Sequence, residues 1–204
     1  MSSELKVLSE NNNDTVIITF GGAQKKFGGI QPFEFLNFLT NNFKDCDKYF
    51  YIDKKTNRYH LGIEGISNNI EETVEYIKNI LISYKNVYFM GVSAGGYAAI
   101  LFGSLLNVSH IIAFIPPTQC NQINDKRKFD NKYSDLLYLI NNKTQYHLFG
   151  DLSINNINNS HHISHCDRLK IYPNVTINQY SKIDLIQLRN NGELLKILTS
   201  IIKF

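Results

Sequence analysis

The residue with the most informative chemical surroundings is Ser93, inside Gly91-Val92-Ser93-Ala94-Gly95. A serine hydroxyl becomes a nucleophile when a turn lifts it clear of its neighbours and a base takes its proton. Gly-x-Ser-x-Gly does the lifting: on a sharp turn from strand to helix, side chains two residues either side of the serine would collide. The context fits. Asn86-Val87-Tyr88-Phe89-Met90 before the motif reads as a buried strand, and Gly96-Tyr97-Ala98-Ala99-Ile100 after it as a closely packed helix. The amide of Ala94, at that helix's N-terminus, would face a developing oxyanion. No Gly-x-x-x-x-Gly-Lys sequence occurs, which disfavours a phosphate loop here.

The surrounding elements alternate. Val16 to Phe20 is a β-branched run that reads as a strand and ends at Gly21-Gly22-Ala23. Gly22 and Ala23 are therefore candidates for a second oxyanion amide. Pro32 opens a helix bearing Phe33, Leu36, Leu39 and Phe43 at helical spacing. Tyr49 to Ile52 is a strand ending at Asp53, and Ser67 or Asn69 caps a helix through Ile82. Ile111 to Ile115 is a strand stopped by Pro116-Pro117-Thr118-Gln119, with a helix expected around Tyr133 to Ile140. Gln145 to Phe149 is the next strand, followed by Gly150-Asp151. A polar loop from Leu152 to Ser160 holds four asparagines. Asn174 to Tyr180 alternates as a last strand, and Asp184 to Phe204 reads as helix broken near Gly192. Strand-helix alternation predicts an α/β fold, a doubly wound, mainly parallel sheet of about six strands in one domain over residues 1–204. Such sheets bind ligands at the carboxyl ends of their strands, where Gly22, Asp53, Ser93, Gln119 and Asp151 all fall.

Composition narrows the classes. The chain has 204 residues, 43% of them hydrophobic, and a net charge of +3. That balance, with only short basic clusters, gives no case for nucleic acid. No apolar run approaches a membrane span and no signal-peptide layout opens the sequence. The three cysteines, Cys46, Cys120 and Cys166, are widely spaced, so no disulfide framework is expected and a reducing, cytoplasmic setting fits.

The chain also resembles a group of small α/β-hydrolase-fold proteins encoded with bacterial capsule and surface-polysaccharide genes, some of them sugar O-acetyltransferases. The resemblance rests on Phe20-Gly21-Gly22, Tyr59 with Gly62, Gly91 through Ala99, Phe102-Gly103, Ala113-Phe114-Ile115-Pro116 and Leu188 through Leu194. It implies a minimal hydrolase-like fold without a large lid domain. It also implies serine-based acyl chemistry on a carbohydrate or other hydroxylated small molecule. No bound cofactor is expected; a transferase would take an acyl donor such as acetyl-CoA. Tyr59 and Gln119 are expected to line the substrate site.

Enzymes of this kind order their triad serine, acid, histidine, with the histidine after the last strand. Here that loop is Ser181-Lys182-Ile183-Asp184, and His165 is the last histidine in the chain. The candidates for the base are His161, His162 and His165, in the loop that ordinarily delivers the acid, from which one of them could reach Ser93. The expectation is His162, with His165 its nearest rival, oriented by Asp151 or Asp184. A metal site at His162 and His165 is disfavoured, since no Glu-x-x-His accompanies them. The empty late position also motivates an alternative: a binding or scaffolding protein on a retired hydrolase fold.

Overall fold

The structure is a computed structural model describing residues 2–10, 14–23, 33–120, 127 and 129–203. The expected opening residue of the first helix, Pro32, and most of the polar stretch 121–131 lie outside the described residues. Seven strands form one sheet: β1 (Glu4–Val7), β2 (Thr15–Phe20), β3 (Asp47–Tyr51), β4 (Asn86–Val92), β5 (His110–Phe114), β6 (Gln145–Asp151) and β7 (Val175–Tyr180). Their order is β1-β3-β2-β4-β5-β6-β7, all neighbours parallel except β1 on β3. The sequence pattern predicts about six strands. The seventh is β1, four residues too short and too mixed in polarity to announce itself, which lies antiparallel along β3 with Glu4 opposite Tyr51.

The helices are α1 (Leu36–Asn42), α2 (Ile70–Leu81), α3 (Ala94–Leu106), α4 (Ser164–Asp167), α5 (Leu185–Asn190) and α6 (Glu193–Ile201). The helix expected near Tyr133 is only a 3-10 turn, Leu136–Leu139, begun by Asp135 accepting from the Leu137 amide. Asn69 caps α2 by accepting from the Glu72 amide. Both sheet faces are covered. Val16, Ile18, Phe20, Val87 and Phe89 pack toward α2 and α3, while Ile17, Tyr88, Met90 and Ile112 pack toward α1, α5 and α6. This period-two split of near-continuous apolar strands is what a parallel sheet buried on both sides requires. The central strand β4 is thereby fixed from four sides, and its carboxyl end carries Ser93.

Candidate active site

Ser93 caps α3 with φ 53° and ψ −120°, a left-handed backbone rare for a residue with a side chain. Its own amide donates to the Phe114 carbonyl (2.9 Å) and its carbonyl accepts from the Tyr97 amide (2.9 Å). The flanking glycines are sterically compelled. A Cβ on Gly91 would overlap the Gly95 backbone, and one on Gly95 would overlap the Phe20 carbonyl. β2, β4 and α3 therefore close to backbone contact only because these positions lack side chains. The hydroxyl this turn presents belongs to a half-buried residue that still meets solvent.

The imidazole facing it belongs to His161: Ser93 Oγ lies 2.7 Å from His161 Nε2. The expectation of His162, with His165 behind it, is therefore corrected. The His162 ring accepts at Nδ1 from the Ser164 amide (3.1 Å) and lies 2.9 Å from the Ser164 hydroxyl, capping the short α4. His165 is buried and takes the Thr118 amide at Nδ1 (3.0 Å), docking α4 against the end of β5. Burial, then the Arg58 and Arg168 charges, push the His165 pKa down to about 4, so its ring stays neutral. Among the described residues no cluster of three metal-ligating side chains exists.

His161 comes from a loop without helix or strand that leaves the sheet at Asp151 and returns beside it, where His162 pairs with Asp151 in a single parallel bridge. Such a loop, closed at its neck, is a compact Ω shape. Burial and then the Arg58 charge lower the His161 pKa, while Asp151 opposes them. Asp151 is 5% exposed and fully engaged: one oxygen accepts the Ser153 amide (2.7 Å) and hydroxyl (2.6 Å), the other the Ile183 amide (3.0 Å). Burial raises its pKa, but these bonds and Lys182 outweigh it and hold the carboxyl below the usual range. Asp184 is not at the site. Its carboxylate caps α5, accepting from the Ile186 and Gln187 amides (3.0 and 3.1 Å).

The remaining expected site residues divide. Ala94 is the first residue of α3, where amides have no acceptor within the helix. Gly22 stands against the elbow: a Cβ added to it would meet the Val92 carbonyl oxygen at 2.9 Å and Ser93 Cβ at 3.7 Å. Its amide, however, already donates to Glu34 Oε2 (3.0 Å). Ala23 follows it at the exposed rim. Tyr59 does not line a substrate site. It is wholly buried, and its hydroxyl donates to the Gly21 and Tyr51 carbonyls (3.0 and 3.1 Å), making it a pillar under the β2 loop. The Gln119 side chain is likewise committed, donating to Asp135 (2.8 Å).

Sequence reasoning passed over Arg58. It has φ 51° and is 4% exposed. Its guanidinium donates to the Gln119 carbonyl (2.9 Å) and lies over the Tyr97 and Phe129 rings at 5.9 and 5.4 Å. An arginine from the β3 loop thus reaches the β5 loop and passes α3 one turn below Ser93. Only the run of left-handed residues at Thr56, Arg58 and Tyr59 marks that loop as special, and composition does not reveal it.

A lidless sheet of this order, with an elbow serine at the end of its central strand, is an α/β-hydrolase-like fold. Solved structures with this fold include the capsule O-acetyltransferase of Neisseria meningitidis serogroup A, solved with CoA. It is 20% identical with a TM-score of 0.66, covering 96% of this chain and 90% of that one. A fluorophosphonate-binding serine hydrolase of Staphylococcus aureus has 9% identity and a TM-score of 0.62, covering 98% and 92%. A Xanthomonas campestris α/β serine hydrolase described as lacking a lid has 13% identity and a TM-score of 0.57, covering 98% and 89%. No protein-family model and no curated protein matches the chain.

Proposed function

We propose that this protein is a serine acyltransferase or esterase that forms an acyl-enzyme on Ser93, with His161 as the base. The observation that carries the reading is the 2.7 Å approach of His161 Nε2 to the hydroxyl of a serine held at positive φ. A neutral imidazole there takes the Ser93 proton as Oγ attacks an acyl carbonyl. The resulting oxyanion takes the Ala94 amide and the amide of Ala23. Gly22 contributes only if Glu34 releases it. His161 then hands its proton to the departing group, leaving the acyl-enzyme. An incoming hydroxyl gives its proton to His161 and attacks the ester carbon; the bond from that carbon to Ser93 Oγ then breaks as His161 returns the proton to Oγ, releasing the acylated acceptor. Burial and the Arg58 charge lower the His161 pKa, which favours the unprotonated ring that this role needs.

The acceptor is a sugar hydroxyl or water, and the donor an acyl thioester or ester. The capsule O-acetyltransferase among the structural neighbours, solved with CoA, supports acetyl-CoA as donor and a carbohydrate as acceptor. The non-catalytic alternative drew on the missing late histidine. It loses that ground, because an imidazole from another loop stands at Ser93.

A fluorophosphonate probe tests the nucleophile: the parent should label and Ser93→Ala should not. Release of free CoA from acetyl-CoA, faster with a sugar acceptor than without, separates transferase from hydrolase. A parent protein that stays unlabelled after long exposure to excess probe would sink the acyl-enzyme reading.

A further inference from the structure

A general base must be held in direction as well as distance. In a serine triad a carboxylate on the far ring nitrogen does this. Here Asp151 gives its oxygens to Ser153 and Ile183, and Asp184 caps α5. Among the described residues the His161 ring makes its one hydrogen bond at Nε2, to Ser93, and none at Nδ1. The ring's placement therefore falls to the main chain beneath it, which belongs to an irregular loop.

That main chain is pinned by asparagines. Asn159 Oδ1 accepts the His161 amide (2.9 Å), and the Asn159 carbonyl accepts the His162 amide (3.0 Å). Asn159 is held in turn: its amide donates to the Asn156 carbonyl (2.9 Å), and Asn156 Oδ1 accepts the Asn158 amide (3.0 Å). Two consecutive side-chain turns thus lead to the base. On the other side the His162 ring caps α4 and the His165 amide donates to the His162 carbonyl (3.0 Å). His161 is the residue between a hydrogen-bonded turn and the start of α4.

We propose that Asn159 is the positioning residue for His161, supplying through the backbone the orientation that a carboxylate usually supplies through the ring. The inference rests on the acyl-enzyme reading above. It also gives the asparagine-rich loop a task. Asparagine, aspartate and serine put an acceptor at the short reach this turn needs; glutamine carries the same amide one methylene too far.

The test is the rate of fluorophosphonate labelling, with thermal melting as the fold control. Asn159→Ala and Asn159→Gln should label about 10- to 100-fold more slowly, the range that a small displacement of a catalytic group produces. Asn159→Asp and Asn159→Ser should stay within about threefold of the parent, since they keep the acceptor. Melting should be unchanged in all four, because Asn159 is exposed. Parent-like labelling of Asn159→Ala overturns the inference, and so does Asn159→Asp as slow as Asn159→Ala. If Ser93→Ala is silent while Asn159→Ala labels at full speed, only the positioning role falls. A labelled Ser93→Ala removes the acyl-enzyme reading together with it.

Discussion

Replacing each of the three clustered histidines by alanine separates their roles by two independent readouts. His161→Ala removes the ring whose Nε2 lies 2.7 Å from Ser93 Oγ. A positioned general base contributes about 10²- to 10⁴-fold, so labelling and acyl transfer should slow by that factor. Melting should hardly move, since the residue is half-buried and its backbone turn does not depend on the ring. His162→Ala removes an acceptor for the Ser164 amide, a bond worth about 1 kcal/mol and replaceable by water at a half-buried site. Its rate should stay within a few fold. His165→Ala strands the Thr118 amide in the interior, at about 1–3 kcal/mol, before any cavity is counted. For a chain of this size that lowers the melting temperature by roughly 3–10 °C. The expected pattern is one slow variant, His161→Ala, and one unstable variant, His165→Ala. Should His162→Ala or His165→Ala lose labelling with melting intact while His161→Ala keeps it, the assignment of the base is refuted.

With His161 as the proposed base, the rate should rise with pH through an acid limb below the ordinary imidazole range, because a general base works unprotonated and burial and Arg58 lower its pKa. Arg58→Met should move that limb to higher pH and Arg58→Lys should leave it near its original position, as a pH profile of labelling would record. Gly95→Ala drives a methyl into the Phe20 carbonyl, so β2 and α3 must separate; a loss above about 3 kcal/mol should appear as a lower melting temperature or insoluble protein. Desolvation holds the pKa values of His60, His147 and His165 at about 4, against 6.5 unfolded. The unfolded chain takes these protons first, so their stability is complete above pH 6.5 and drains as pH falls toward 4. Denaturant melts across that window should show it, at up to about 3 kcal/mol per histidine; a flat profile would contradict the neutral assignment.

The elbow is legible in the sequence because its demands are local. A strand, two compelled glycines and a small-residue helix fall within fifteen consecutive positions, and backbone sterics alone dictate them. The inner strands β2 to β6 are legible for a similar reason, each carrying a run of buried apolar residues, and β7 is legible by its alternation instead. β1 is not, since its four residues gain their strand character from β3 rather than from their own pattern. The choice among His161, His162 and His165 is illegible in principle. Neighbouring residues in an irregular loop point in directions set by turn geometry, and here Asn159 and α4 set it. Tyr59, expected at the substrate site, is instead wholly buried, with its hydroxyl on the Gly21 and Tyr51 carbonyls. A tyrosine near a site reads the same in sequence whether it touches substrate or, as here, holds the Gly21 carbonyl from below.

The position of Asp151 leads to a last expectation. β7 is three strands from β4 and β6 only two, so a base from the β6 loop has the shorter crossing, about 10 Å at ordinary strand spacing. The β7 loop, lacking a histidine, still contributes: its Ile183 amide fixes one Asp151 oxygen (3.0 Å). Asp151 then acts on His161 through space, favouring the imidazolium without gripping the ring. In a triad whose acid holds the far nitrogen, the Asp→Asn change costs about 10⁴-fold, because it fixes the wrong tautomer. Asp151→Asn should cost no more than about tenfold here, since removing the charge alone leaves the tautomer free. It should also lower the melting temperature, because the new amide group opposes either the Ser153 or the Ile183 amide in the interior. Labelling rates on the folded variant decide the matter: a fall of about 10⁴-fold would mean that Asp151 does grip the ring in the working enzyme.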